Sequence, residues 1–132
     1  MLPLLLEAAK AALTTAPVDK RNFMLGAVGI RKDGALVSAK NGAVISSTYE
    51  DYRIISDAHA EIRCLRKLGK GGILYVSRVL KKDGSLAMAS PCPGCRLRIR
   101  AAKVQRVYYT INAIQYGIWY VDIDKDVAYT VR

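Results

Sequence analysis

The chain holds one histidine, one tryptophan, one phenylalanine and three cysteines in 132 residues. So small and odd a set of cysteines supplies no disulfide framework, which points to a reducing compartment. No apolar run approaches the roughly 20 residues that a membrane-spanning helix needs. The opening residues are apolar but interrupted by Glu7 and Lys10, without a basic leader or a small-residue cleavage site. They read as an amphipathic helix and not as a signal peptide. Repeats, low-complexity stretches and linkers are also missing. The expectation is one soluble, cytoplasmic domain over residues 1–132, with no membrane contact and a real core. Acidic residues are scarce as well: 11 against 21 lysines and arginines, a formal charge of +10. That balance favours anionic nucleotides or polyanions as partners.

What is present is concentrated in two clusters. His59-Ala60-Glu61 comes first, and Pro91-Cys92-Pro93-Gly94-Cys95 follows, with Cys92 33 residues after His59. Together they offer one imidazole, two thiolates and a spare carboxylate. Zinc takes four tetrahedral nitrogen or sulfur ligands, and a catalytic site fills three from protein and leaves one for water. His59, Cys92 and Cys95 make the three. Bound zinc brings its water to a pKa of about 7, and Glu61 is then available to move protons.

Each cluster alone has a plainer reading. A lone histidine is more often a core or surface residue, and a lone C-x-x-C is a redox pair or half a structural zinc site. A structural Cys3His site would need Cys64. On a helix that residue lies about 140° around from His59, and no second C-x-x-C completes a ribbon. The joint order H-x-E then P-C-x-x-C is the signature of zinc nucleobase deaminases.

On these residues the chain resembles the cytidine deaminase-like superfamily, across residues 24–110, about two thirds of its length. Histidine as first ligand resembles the branch with deoxycytidylate, tRNA adenosine and APOBEC-like deaminases. The resemblance implies Zn2+ on His59, Cys92 and Cys95, with Glu61 as proton shuttle. It further implies that Ala27, in Leu25-Gly26-Ala27-Val28, lines the base pocket. Asn41 would bond a sugar hydroxyl, and the Ala60 backbone would meet the base edge. Asn41-Gly42 also reads as an ordinary turn.

The order of elements agrees. A helix fits residues 2–13, and strands fit 24–30 and 36–40, with Lys32-Asp33-Gly34 as the hairpin turn between them. Ser56 or Asp57 can cap a helix carrying Ile62, Leu65 and Leu68, which Gly69 to Gly72 would end. A strand over 73–80, a linker over 81–90 with a second turn signal, Lys82-Asp83-Gly84, and a helix started by Pro93 follow. Residues 104–111 read as a strand, and the tail holds one or two more, with Asp122 to Asp126 as a polar turn. Strands joined by single helices imply an α/β fold with parallel members and helices on both faces. The family resemblance makes that a three-layer α/β/α sandwich around a mixed five-stranded sheet.

The substrate is less determined. Arg96, Arg100 and Lys103 recur on one helix face, and Arg63, Arg66, Lys67 and Lys70 on another. The two could merge into a basic surface for single-stranded nucleic acid or form a solvated exterior. Tyr49, Tyr52 and Arg53 precede His59; the tyrosines would stack on a base, with structural packing the other reading of Tyr52, and Arg53 would take a phosphate. Arg78, Lys81 and Lys82 are further phosphate candidates. Three readings stand: a pool enzyme acting on a cytosine nucleotide such as dCMP, a deaminase of cytosine or adenine in single-stranded DNA or RNA, and a noncatalytic zinc-stabilised module. Glu61 argues against the last. Homo-oligomers fit the family, with Ile118, Trp119, Tyr120 and Val121 as core or interface.

Overall fold

The computed structural model describes residues 1–13, 23–40, 60–80 and 82–131. Of the expected site residues, Asn41, Tyr52, Arg53 and His59 lie outside these, as do Tyr49 and Lys81.

The amphipathic start forms α1, Pro3–Leu13. The first strand pair is β1, Phe23–Ile30, and β2, Leu36–Lys40, antiparallel with Ile30 opposite Leu36. Asp33 makes the turn between them by accepting the Ala35 N–H at 3.0 Å, the local bond that favours aspartate in turns. Next come α2, Ala60–Leu68, and β3, Ile73–Leu80, which pairs antiparallel with β1. Gly69 leaves α2 with φ +75°, a left-handed exit that glycine adopts without a Cβ penalty.

Residues 82–90, expected as linker around the Lys82-Asp83-Gly84 turn, fold back on β3 as a second hairpin. The two-residue β4, Leu86–Ala87, pairs with the end of β3. Asp83 accepts the Ser85 N–H at 3.0 Å, repeating the Asp33 turn. Helix α3, Pro93–Ala101, then crosses over to β5, Arg106–Thr110, which runs parallel to β3. The chain continues through antiparallel β6, Gln115–Tyr120, and β7, Lys125–Thr130. Asp126, expected in the polar turn, lies inside β7 because the turn ends at Asp124.

The sheet is mixed, in the order β2-β1-β3-β5-β6-β7 with β4 beside β3. It contains the five expected strands, widened by β4 and β7. Successive side chains of a strand alternate between faces, and here the alternation separates two layers. Leu25, Ala27, Leu74, Val76, Val107 and Trp119 face α2 and α3, where they pack with Ile62, Cys64, Leu68, Cys95 and Ile99. On the other face Val79 packs with Ala9 and Ala12 of α1, and the Ser77 hydroxyl donates to the Leu5 carbonyl at 2.5 Å. Helix α1 sits so close to β1 that a Cβ on Gly26 would collide with the Ala8 carbonyl. Helices therefore cover both faces of an α/β sheet, as expected. No helix of the described residues is long and apolar enough to cross a membrane.

Candidate active site

Two helix starts converge on the α2/α3 face of the sheet. Cys92 sits just before α3 with extended backbone (φ −70°, ψ 162°), and Pro93 opens the helix. Proline suits that place because the N–H it lacks would have no intrahelical partner there. Cys92 is exposed and Cys95, in the first turn, is buried. Glu61 stands in the first turn of α2 and is also buried, at 3% exposure. Ala27 and Ala60, both 0% exposed, share a core cluster with Cys95.

The meeting point is the contact between Glu61 Oε1 and Cys95 Sγ at 3.4 Å. Burial pushes the Cys95 thiol well above its ordinary value, and the Glu61 carboxylate and the Cys92 thiol push it further. The buried Cys95 thiol resists ionisation there, because burial and the neighbouring Glu61 charge both disfavour its thiolate. A divalent cation reverses that balance and deprotonates a coordinating thiol outright. The two soft sulfur donors suit zinc. Among the described residues no three histidine, cysteine or acidic groups form a metal-binding set. The candidate third ligand, His59, precedes Ala60 and lies outside them.

Cys64 is excluded from this cluster by its position. It packs beneath β1, where a Cβ on Gly29 would stand 3.3 Å from its sulfur, and burial pushes its thiol up to about 12.

Arg78, a phosphate candidate from the sequence, projects from β3 on the site-bearing face, opposite Leu25. Burial holds its guanidinium below its usual pKa, and the Glu61 carboxylate opposes that shift. The Arg78 backbone N–H donates to Thr110 Oγ1 at 3.2 Å, and that hydroxyl donates to the Ala87 carbonyl at 2.7 Å.

The basic face expected on α3 is resolved differently. Arg96 makes two bonds of 2.9 Å to the Asp126 carboxylate, donates to Ser90 Oγ at 2.7 Å and to the Pro91 carbonyl at 3.1 Å, and lies 4.5 Å over Trp119. Arg100 pairs with Asp124 at 3.1 Å. Both arginines thus tie α3 to the β6–β7 hairpin instead of standing ready for phosphates. Tyr109 completes the clamp by donating to Asp126 Oδ2 at 2.7 Å. These residues were not legible as site residues. Ser90, Tyr109 and Asp126 have no motif spacing, and Arg96 meets Asp126 across 30 positions. Trp119 and Val121 belong to the core, which decides their role within the chain.

Over residues 3–111 the chain matches the family described as the cytidine and deoxycytidylate deaminase zinc-binding region. Among solved structures it is similar to cytidine deaminase from Mycobacterium tuberculosis, at 26% identity and a TM-score of 0.52, covering 81% of this chain and 80% of that one. The cytidine deaminase from Mycobacterium leprae shares the fold, at 24% identity and a TM-score of 0.52, covering 79% and 82%. No curated protein matches the chain significantly by sequence.

Proposed function

The chain belongs to the cytidine and deoxycytidylate deaminase family, and on that premise we propose that it is a zinc-dependent hydrolytic deaminase converting a dCMP-like cytosine nucleotide to its uracil counterpart. The observation that carries this reading is the 3.4 Å approach of Glu61 to Cys95 across the first turns of two helices. It sets a buried carboxylate beside one sulfur of the C-x-x-C pair, an arrangement of no use to a purely structural zinc site.

In this reading His59, Cys92 and Cys95 hold the metal, which supplies Lewis acidity that brings the attacking water's pKa to about 7. The chain's own work falls to Glu61. It takes a proton from that water as the C4–O bond forms, and delivers it to ring N3. It then passes the remaining hydroxyl proton to the amino group, the C4–N bond breaks, and ammonia leaves. The product keeps the proton on N3. Asn41 is assigned the sugar hydroxyl, Ala60 the base edge, Ala27 the pocket wall, Tyr52 stacking on the base and Arg53 the phosphate.

A mononucleotide is preferred over a polynucleotide because Arg96 and Arg100 are engaged by Asp126 and Asp124, which depletes the basic helix face that a strand would grip. The test is mass-resolved product formation by zinc-loaded protein on dCMP, dCTP, cytidine, a cytosine-bearing single-stranded oligonucleotide and an adenosine-bearing RNA hairpin. Turnover of dCMP alone is the expected result. Turnover confined to the oligonucleotide or hairpin would replace this reading with the polynucleotide one, and no turnover of any substrate would sink both.

A further inference from the structure

The sheet face opposite α2 and α3 is covered by α1 over β1 and β3. Beyond α1 it carries tyrosines, five of the eight in the chain. The register places them on one face: Tyr75 lies beside Tyr108, and Tyr116 lies opposite Tyr129. Tyr120 is two residues along β6 from Ile118, which itself lies opposite Tyr108. Tyr75 and Tyr108 stack with centroids 4.5 Å apart and planes 13° apart. Tyr116 and Tyr129 stack at 5.4 Å and 21°, and Tyr108 leans on Tyr116 at 6.4 Å. The result is one ladder of rings across four strands, along a groove of about 480 Å³ that Leu2 and Leu4 close on one side.

The ladder runs into a basic hollow of about 650 Å³ that includes Lys103, Arg106 and Tyr120. Arg106 joins the two, since its guanidinium lies 5.7 Å over the Tyr108 ring. Arg100 also reaches the hollow but is held by Asp124. The Asp122 carboxylate there turns back to accept the Ile123 N–H at 3.0 Å. Lys125, opposite Tyr120 on β7, adds a cation on the ladder's own face.

We propose that this tyrosine ladder and its adjoining basic hollow form a binding surface for single-stranded nucleic acid. Three cations, Lys103, Arg106 and Lys125, adjoin stacked rings that an unpaired base can extend. Tyrosine suits such a surface because its ring stacks while its hydroxyl keeps the empty face compatible with water. Base stacking on aromatic rings tolerates any sequence, and a positive groove tracks the backbone. Tyr129, 37% exposed on β7, is the outer ring on which the stack would continue. The chain's +10 charge adds long-range attraction for the same polyanion.

The surface is separate from the candidate active site. Cys92 and Cys95 stand at the start of α3, whereas the hollow lies past its end, about 13 Å further along a nine-residue helix. The inference therefore stands apart from the proposed deamination and can fail without it.

The test is fluorescence anisotropy of labelled oligo-dT and oligo-rU of about 15 nucleotides on zinc-loaded protein, across a salt series. Tyr129→Ala and Arg106→Gln, checked for native circular dichroism, should each weaken binding roughly tenfold. Arg106→Gln should also flatten the plot of log affinity against log salt by about one phosphate's worth. Both variants should keep the parent's zinc content and mononucleotide turnover. Unchanged affinity in the two folded variants, or no binding to either oligonucleotide at low salt, would overturn the proposal. So would a self-association that Tyr129→Ala abolishes in the absence of nucleic acid, which would assign the face to a second copy of the chain.

Discussion

Arg96, the residue directly after Cys95, meets Asp126 through two N–H···O bonds of 2.9 Å each. The same arginine donates to Ser90 and to the Pro91 carbonyl, so one side chain joins the segment before Cys92, helix α3 and strand β7. Bidentate arginine–carboxylate pairs are directional as well as strong. The clamp ties the first turn of α3, which carries Cys95, to β7.

Asp126→Asn should destabilise the fold by about 1–2 kcal/mol, since the pair is partly solvated and its strength is screened accordingly. Chemical denaturation would read this directly. The Arg96 guanidinium holds the Asp126 carboxyl below its usual value, and Tyr109 assists. A group whose folded pKa is depressed contributes its stability above its unfolded pKa, about 3.9. That contribution fades as the pH falls through the lower folded value. The parent should therefore lose stability in acid more steeply than Asp126→Asn, and coincident acid limbs would disprove the assignment.

Glu61→Ala should retain zinc and fold while losing about 10²–10⁴-fold in turnover, the usual worth of a positioned proton carrier. Metal analysis and product formation on the same sample check both halves. Retained activity would remove Glu61 from the proton path.

Cys92→Ala and Cys95→Ala should each lose zinc. The Cys95 thiol is pushed up by burial and by Glu61, so it enters coordination protonated and must release that proton. Zinc binding to the apo protein should thus liberate protons at pH 7 and weaken as the pH is lowered. Calorimetry in buffers of different ionisation enthalpy measures the release. Full zinc loading of Cys92→Ala would contradict the ligand set.

Gly26→Ala tests the packing that supports the pocket from behind. Its new Cβ would strike the Ala8 carbonyl, a backbone atom that cannot rotate away. The expected cost is about 1–3 kcal/mol or more, as for other overpacked sites. A thermal midpoint equal to the parent's would show that α1 can shift without penalty.

Much of this protein was readable from short-range chemistry. Asp33 and Asp83 mark two hairpin turns, Pro93 a helix start and Gly69 a helix end, because each acts on backbone atoms only a few residues away. The motif spacing likewise singled out Glu61, Cys92 and Cys95 as candidates, since the donors a metal needs are chemically distinctive, and the fold brings Glu61 within 3.4 Å of Cys95. Tertiary structure alone decided which arginines were already occupied. Arg96 looked like a phosphate contact on a helix face until β7 delivered Asp126 to it. It also decided that Tyr75, Tyr108, Tyr116 and Tyr129, scattered over 55 positions, share one face. A strand's alternation says which residues go together within it, but the pairing of β3, β5, β6 and β7 says which faces coincide. That pairing is set by the burial of the whole sheet, so no local signal encodes it.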